Sequence, residues 1–118
     1  MKNIEYVVVH CTESPNNREV DASEINSWHI ERGFDMIGYH VVIQRSGNIQ
    51  NGRPEYVQGA HAVAVNDRSI GVCLVGTDSF TCDQLESLGI VIRGLLSRHT
   101  NAKVRGHYQF DDKKTCPN

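Results

Sequence analysis

No stretch of this 118-residue chain stays apolar for long. The first apolar run, Tyr6 to Val9, gives way at once to His10. A secretory leader needs a longer segment with a small-residue cleavage site, and a membrane helix needs ~20 apolar residues, so neither is expected. The chain reads as one made in the cytoplasm without membrane insertion. An excess of positive charge is also missing. Twelve Lys and Arg stand against 14 Asp and Glu, for a net charge of −2. No broad positive field is present to hold nucleic acid or an anionic bilayer. No Cys-x-x-Cys pair occurs among Cys11, Cys73, Cys82 and Cys116. Two disulfides in any of three pairings are open on paper, but a domain of this size does without bridges, and reduced thiols are expected. Repeats, low-complexity tracts and linker-like stretches are lacking, so residues 1–118 read as one domain, and a monomer is expected.

What is present suits a soluble globular fold: 39% hydrophobic, 7% aromatic and 22% charged residues. Folding at this length removes roughly 60–70% of the surface that the unfolded chain exposes, enough for a core of its own.

Ile4 to Val9 is rich in β-branched residues and predicts a strand buried on both faces, delivering His10 at its end. Asp21 with Glu24 three residues on predicts a helix start; Ile25, Trp28 and Ile30 supply an apolar side, and Gly33 a stop. Tyr39 to Arg45 predicts a second strand, returned by the Ser46-Gly47-Asn48 turn into a short strand near Ile49. Asn51 to Pro54 and Gly59 to Asp67 read as loop, and Ser69 to Val75 as another buried strand. Thr81 and Gln84 form a capping-box pattern ahead of Leu85, Leu88, Ile92, Leu95 and Leu96 at helical spacing. Lys103 to Gly106 predicts a last strand with His107 just beyond it. Strands interleaved with helices imply an α/β fold, a single mixed sheet flanked by helices. Ligands in such sheets gather beyond the carboxyl ends of the strands, where His10 and His107 both fall.

Six histidines, His10, His29, His40, His61, His99 and His107, invite a test for metal. Zinc favours His nitrogen and Cys sulfur, and catalytic zinc uses three protein ligands with one position left open. His10, His107 and Cys116 fit that set. On spacing alone each also suits a plainer role, because an isolated His after a strand is commonly a hydrogen-bonded surface residue.

Their company points further. Gly38-Tyr39-His40, Gly52-Arg53, Gly59-Ala60-His61, Asn66, Ser69-Ile70-Gly71-Val72, Gly106-His107 and Lys114-Thr115-Cys116-Pro117 follow one another in that order. With Val8-Val9-His10-Cys11 and Trp28-His29, this pattern resembles the zinc-dependent N-acetylmuramoyl-L-alanine amidases of the phage-lysozyme and peptidoglycan-recognition type. It looks closest to the short single-domain amidases with which tailed phages lyse their hosts. The resemblance covers nearly the whole chain. It implies hydrolysis of the amide between the lactyl group of N-acetylmuramic acid and L-alanine in peptidoglycan, on the wall after release from the cell. It further implies zinc ligands at His10, His107 and Cys116, a zinc site at the carboxyl ends of the strands, catalytic roles for Tyr39 and Lys114, and a substrate groove lined by His61 and Asn66.

Taken without the family pattern, Tyr39 is a strand aromatic and Lys114 part of a solvated charge cluster with Lys113, Asp111 and Asp112. His40, following Tyr39, points to the opposite face if both lie on a strand, and is read as structural. Non-catalytic members of the family bind muropeptides without cutting them and typically lack the cysteine ligand, so Cys116 favours an enzyme over a recognition module. One departure stands out. Relatives often carry Cys-Pro-Gly and continue, where this chain has Cys116-Pro117-Asn118, which reads as either a minimal or a C-terminally truncated form.

Overall fold

Runs of β-branched residues become the strands of one sheet in the computed structural model, which describes residues 3–111. Strand β1 (Tyr6–Cys11) pairs in parallel with both β4 (Ser69–Leu74) and β5 (Lys103–Gly106). On the far side of β4 lies β2 (Val41–Ile43), also parallel, and β3 (Ile49–Asn51) returns antiparallel to β2. The order is β3-β2-β4-β1-β5, a mixed sheet of five strands. With helices α1 (Ala22–Glu31) and α2 (Cys82–Arg98) it makes the expected α/β arrangement.

Alternation along the strands divides the core. Val7, Val9, Ile70, Val72 and Leu74 pack with Ile43 and with Leu88, Val91 and Leu95 of α2. Val42 and Val75 pack instead with Val20, Ile25 and Ile37, beside Trp28 of α1. Val8 faces a third cluster with Ala62 and Val65, closed by Tyr6 and Phe110. The long loop between β3 and β4 therefore covers the sheet face opposite α2.

Several boundaries move from their expected places. β1 runs two residues later than the apolar run suggests, because Cys11 still pairs with Leu74, so His10 lies within the strand. Tyr39 and His40 precede β2: the Tyr39 carbonyl accepts from Arg53 N–H at 2.9 Å and His40 N–H donates to the Gly71 carbonyl at 2.9 Å. The hairpin turns at Gly47, whose φ of +90° suits glycine.

Asp21 caps α1 by accepting from Glu24 N–H at 2.8 Å, while the Glu24 carboxylate pairs with Arg18. Ile25 and His29, four residues apart, form the buried side of α1, leaving Ile30 half exposed. The helix stops at Gly33, with φ +95°.

The inward stripe of α2 is buried Gln84 and Leu95 with partly buried Leu88 and Val91, so the expected Leu88 and Leu95 face the core while Gln84 and Val91 stand there in place of Leu85 and Ile92. A glutamine leads this stripe because it has structural work there. Its Nε2 donates to the carbonyls of Ile43, at 3.2 Å, and Val75, at 2.8 Å, and its Oε1 accepts from Thr81 N–H at 3.0 Å and from Arg45 at 3.1 Å. One fully buried side chain thus completes the Thr81 capping box and ties α2 to the ends of two strands. Gln84→Leu removes these partners from buried groups and is expected to cost about 2–3 kcal/mol. Urea unfolding measures it, and a loss below about 0.5 kcal/mol contradicts this account of the stripe.

Candidate active site

Register places the first pair of the site. Val9 lies opposite Gly106 as the last pair of the β1–β5 ladder, so His10, still paired with Cys73 of β4, and His107, just past the end of β5, stand side by side at the carboxyl edge of the sheet. Their Nδ1 atoms stand 3.1 Å apart. His10 shares its sheet face with Val8 and is buried, whereas His107 opens a short 3₁₀ turn, His107–Gln109. The Gln109 side chain holds that turn by accepting from Gly106 N–H at 2.7 Å.

Above this pair the β3–β4 loop brings in His61, whose Nδ1 lies 2.9 Å from His10 Nε2. Asn66 fixes the loop: its Oδ1 accepts from the backbone N–H groups of His61, at 2.9 Å, and Ala62, at 2.8 Å. Burial, and then the neighbouring imidazoles of His10, His40 and His107, lower the His61 pKa to about 2, so the ring is neutral. The Tyr39 ring flanks His10 on another side, centroids 5.1 Å apart. Tyr39, His61, Asn66 and His107 line a cleft of about 670 Å³ that also takes in Thr12, His29, Arg32, Phe34, Val63 and Phe110, while His10 is buried against His61 and His107. The structure therefore brings together His10, His61, Asn66, Tyr39 and His107. Lys114 and Cys116 lie outside the described residues.

Two more histidines act as backbone staples. His40 Nδ1 accepts from Gly71 N–H at 3.0 Å, and its Nε2 donates to the Val57 carbonyl at 2.7 Å. Both nitrogens of His40 are thus engaged by backbone, in agreement with a structural role. His29 had no assigned role from sequence, yet it accepts from Gly38 N–H at 2.8 Å and meets the Tyr39 ring at 5.3 Å. It holds the segment that presents Tyr39. Its place four residues after Ile25 on a capped helix was the one signal that it would turn inward.

The donor set suits a metal as far as it is described. Two imidazoles sharing one tetrahedral zinc at about 2.0–2.1 Å bring their nitrogens to about 3.3–3.4 Å of each other. The observed 3.1 Å is close to that edge. Among the described residues no three His, Cys, Asp or Glu side chains converge on one point. Among the described residues no disulfide joins Cys11, Cys73 and Cys82 to one another. No helix among the described residues is long and apolar enough to cross a membrane.

A histidine-lined cleft at the carboxyl edge of parallel strands is where α/β proteins gather their ligands. Comparison with known proteins gives the rest. The N-acetylmuramoyl-L-alanine amidase family model matches residues 1–118. The endolysin of Escherichia phage T7 is 37% identical over 119 residues, covering 94% of this chain and 78% of that protein. The N-acetylmuramoyl-L-alanine amidase LysC of Clostridium intestinale superposes with a TM-score of 0.90 at 31% identity, covering 98% of this chain and 77% of that one. A mutant of the Drosophila recognition protein PGRP-LB, in complex with tracheal cytotoxin, superposes at 0.87 with 27% identity, over 100% of this chain and 77% of that one. The chain belongs to the N-acetylmuramoyl-L-alanine amidase family. Its activity is that of a peptidoglycan amidase of the phage-lysin kind.

His29 also sets a pH dependence. Burial, and then the positive charges of Arg32 and Arg53, lower its pKa from 6.5 to about 4. The unfolded chain takes up this proton first, so the contribution is complete above pH 6.5 and is lost as pH falls toward 4. Urea unfolding at about pH 5 is expected to show lower stability than at about pH 7.5. His29→Asn, which keeps an acceptor for Gly38 N–H without the titration, is expected to narrow that difference. An unchanged difference in the variant removes His29 as a source.

Proposed function

We propose that residues 1–118 form one catalytic domain that hydrolyses the bond between N-acetylmuramic acid and L-alanine with zinc held by His10, His107 and Cys116. The observation that carries this reading is the 3.1 Å approach of the His10 and His107 Nδ1 atoms at the carboxyl edge of the sheet. A thiolate at Cys116 completes a ligand set of two nitrogens and one sulfur, with the fourth position left to solvent or substrate. When bound, zinc supplies Lewis acidity that polarises the scissile carbonyl and makes water acidic near neutral pH.

The remaining chemistry belongs to side chains. Tyr39, held by the Gly38–His29 contact, brings a phenol to the wall beside His10, where it can hydrogen-bond the attacking water or the oxygen that becomes negative in the tetrahedral intermediate. Lys114 supplies a positive charge for that same oxygen. Asn66 spends its carbonyl oxygen on the loop backbone, and so shapes the wall that receives the muropeptide. Fully exposed Val63 adds apolar surface to that wall.

Chelation of the metal is expected to abolish release of stem peptides from purified sacculi, with activity restored by zinc. New free L-alanine amino termini, and no new reducing sugars, identify the amide as the bond cut. Cys116→Ser is expected to lower turnover by orders of magnitude, and Tyr39→Phe by about 10²-fold or more in kcat with a smaller change in KM. Full turnover in a metal-free preparation overturns the proposal.

A further inference from the structure

The His61 ring stands in a slot cut for it. A Cβ on Gly71 would lie 2.6 Å from His61 Cγ, and one on Gly59 would lie 2.6 Å from His61 Cδ2, so both glycines are spaces the imidazole occupies. Within that slot its two nitrogens reach in opposite directions. Nδ1 meets His10 Nε2 at 2.9 Å, and Nε2 meets the Ser69 hydroxyl at 3.2 Å. Ser69 is fully buried, and its hydroxyl also lies 2.7 Å from the Val65 carbonyl.

The directions of these bonds follow from one end. A carbonyl oxygen only accepts, so the single proton of Ser69 goes to Val65. The serine oxygen then accepts, and His61 carries its proton on Nε2. With its proton committed to Ser69, His61 turns Nδ1 to His10 as an acceptor, and His10 Nε2 is the donor to it. The remaining nitrogen of His10 is Nδ1, the atom turned toward His107.

We propose that Ser69 and His61 form a positioning relay whose task is to fix His10 as its Nε2–H tautomer and so present the Nδ1 lone pair to the metal. His61 is thereby a positioning residue acting through His10, beyond any contact it makes with substrate. The inference rests on the reading of His10 and His107 as metal-holding residues. Partners of this kind orient ligating imidazoles, and their removal typically weakens metal binding about 10–100-fold.

Two measurements test it. In metal-free wild-type protein, long-range ¹H–¹⁵N spectra of the imidazoles report where each ring carries its proton. His10 is expected as the Nε2–H form and His61 likewise; His10 protonated on Nδ1 overturns the relay, whether or not the protein binds zinc. Zinc affinity is then measured by competition with a chromophoric chelator for wild type, Ser69→Ala and His61→Phe. Each variant is expected to bind at least about tenfold more weakly, with His10 in Ser69→Ala populating both tautomers. Ser69→Thr, which keeps the hydroxyl, is expected to return toward wild type in both readouts. Wild-type affinity in folded Ser69→Ala overturns the relay, and the wild-type spectrum decides the matter if that variant fails to fold. Absence of zinc binding by the wild type itself sinks the metal reading and leaves the tautomer measurement standing as a separate result.

Discussion

An imidazole buried at the carboxyl edge of an inner strand must find a partner for each nitrogen, and the surroundings of the cleft are arranged by that requirement on His10. Leaving such a group unmatched costs about 1–3 kcal/mol. One nitrogen is met from above by His61, the other approaches His107 from the adjoining strand. Parallel pairing of β1 with β5 supplies the second neighbour directly, since the ladder ends with Val9 opposite Gly106. The first must be carried in by a loop, which explains why the β3–β4 connection is pinned by backbone bonds to Asn66 and by packing of Ala62 and Val65 against Val8.

Elements whose local chemistry and burial agree were legible in the sequence. The Thr81 capping box, the Gly47 turn and the β4 run all appear where residue types alone place them. Errors arose where tertiary partners outweigh pattern. Leu85 and Ile92 looked like the inward face of α2, yet Gln84 took the leading buried position because four polar partners await it there. Hydrophobicity does not advertise a glutamine that must be buried. Similarly, the apolar run at Ile4 to Val9 shows where a strand is favoured, but the ladder with β4 decides that it continues to Cys11.

The site was legible to a different degree. His10 and His107 were singled out by donor chemistry as well as by resemblance to a family, and His61, Asn66 and Tyr39 by that resemblance; all but His10 line one cleft, and His10 is buried against His61 and His107. What those motifs left unsaid is how the residues depend on one another. Gly59 and Gly71 read naturally as turn and strand glycines; only in three dimensions does each prove to be the absent side chain that His61 replaces. Ser69, an ordinary polar residue at the start of a buried strand, gives no hint in sequence that its hydroxyl sits between a carbonyl and an imidazole.

Histidine count is therefore a poor guide to chemistry, and hydrogen-bond partners a better one. His29 and His40 each accept from a backbone N–H, which fixes the tautomer and commits the ring to holding a loop. His99, at the end of α2, spends Nε2 on the Glu55 carboxylate, which also receives Arg98 and whose pKa is lowered chiefly by that arginine. The β3–β4 loop is thereby tied at its outer end as Asn66 ties its inner end. His10, His61 and His107 differ in that their nitrogens meet other imidazoles. Two imidazole nitrogens in contact need a proton or a metal between electron pairs that otherwise repel. For His10 and His61 that proton sits on His10 Nε2, and the Ser69 chain sets its direction. For His10 and His107, the same chain leaves a lone pair on the nearer nitrogen of His10, which is the condition for sharing a cation there.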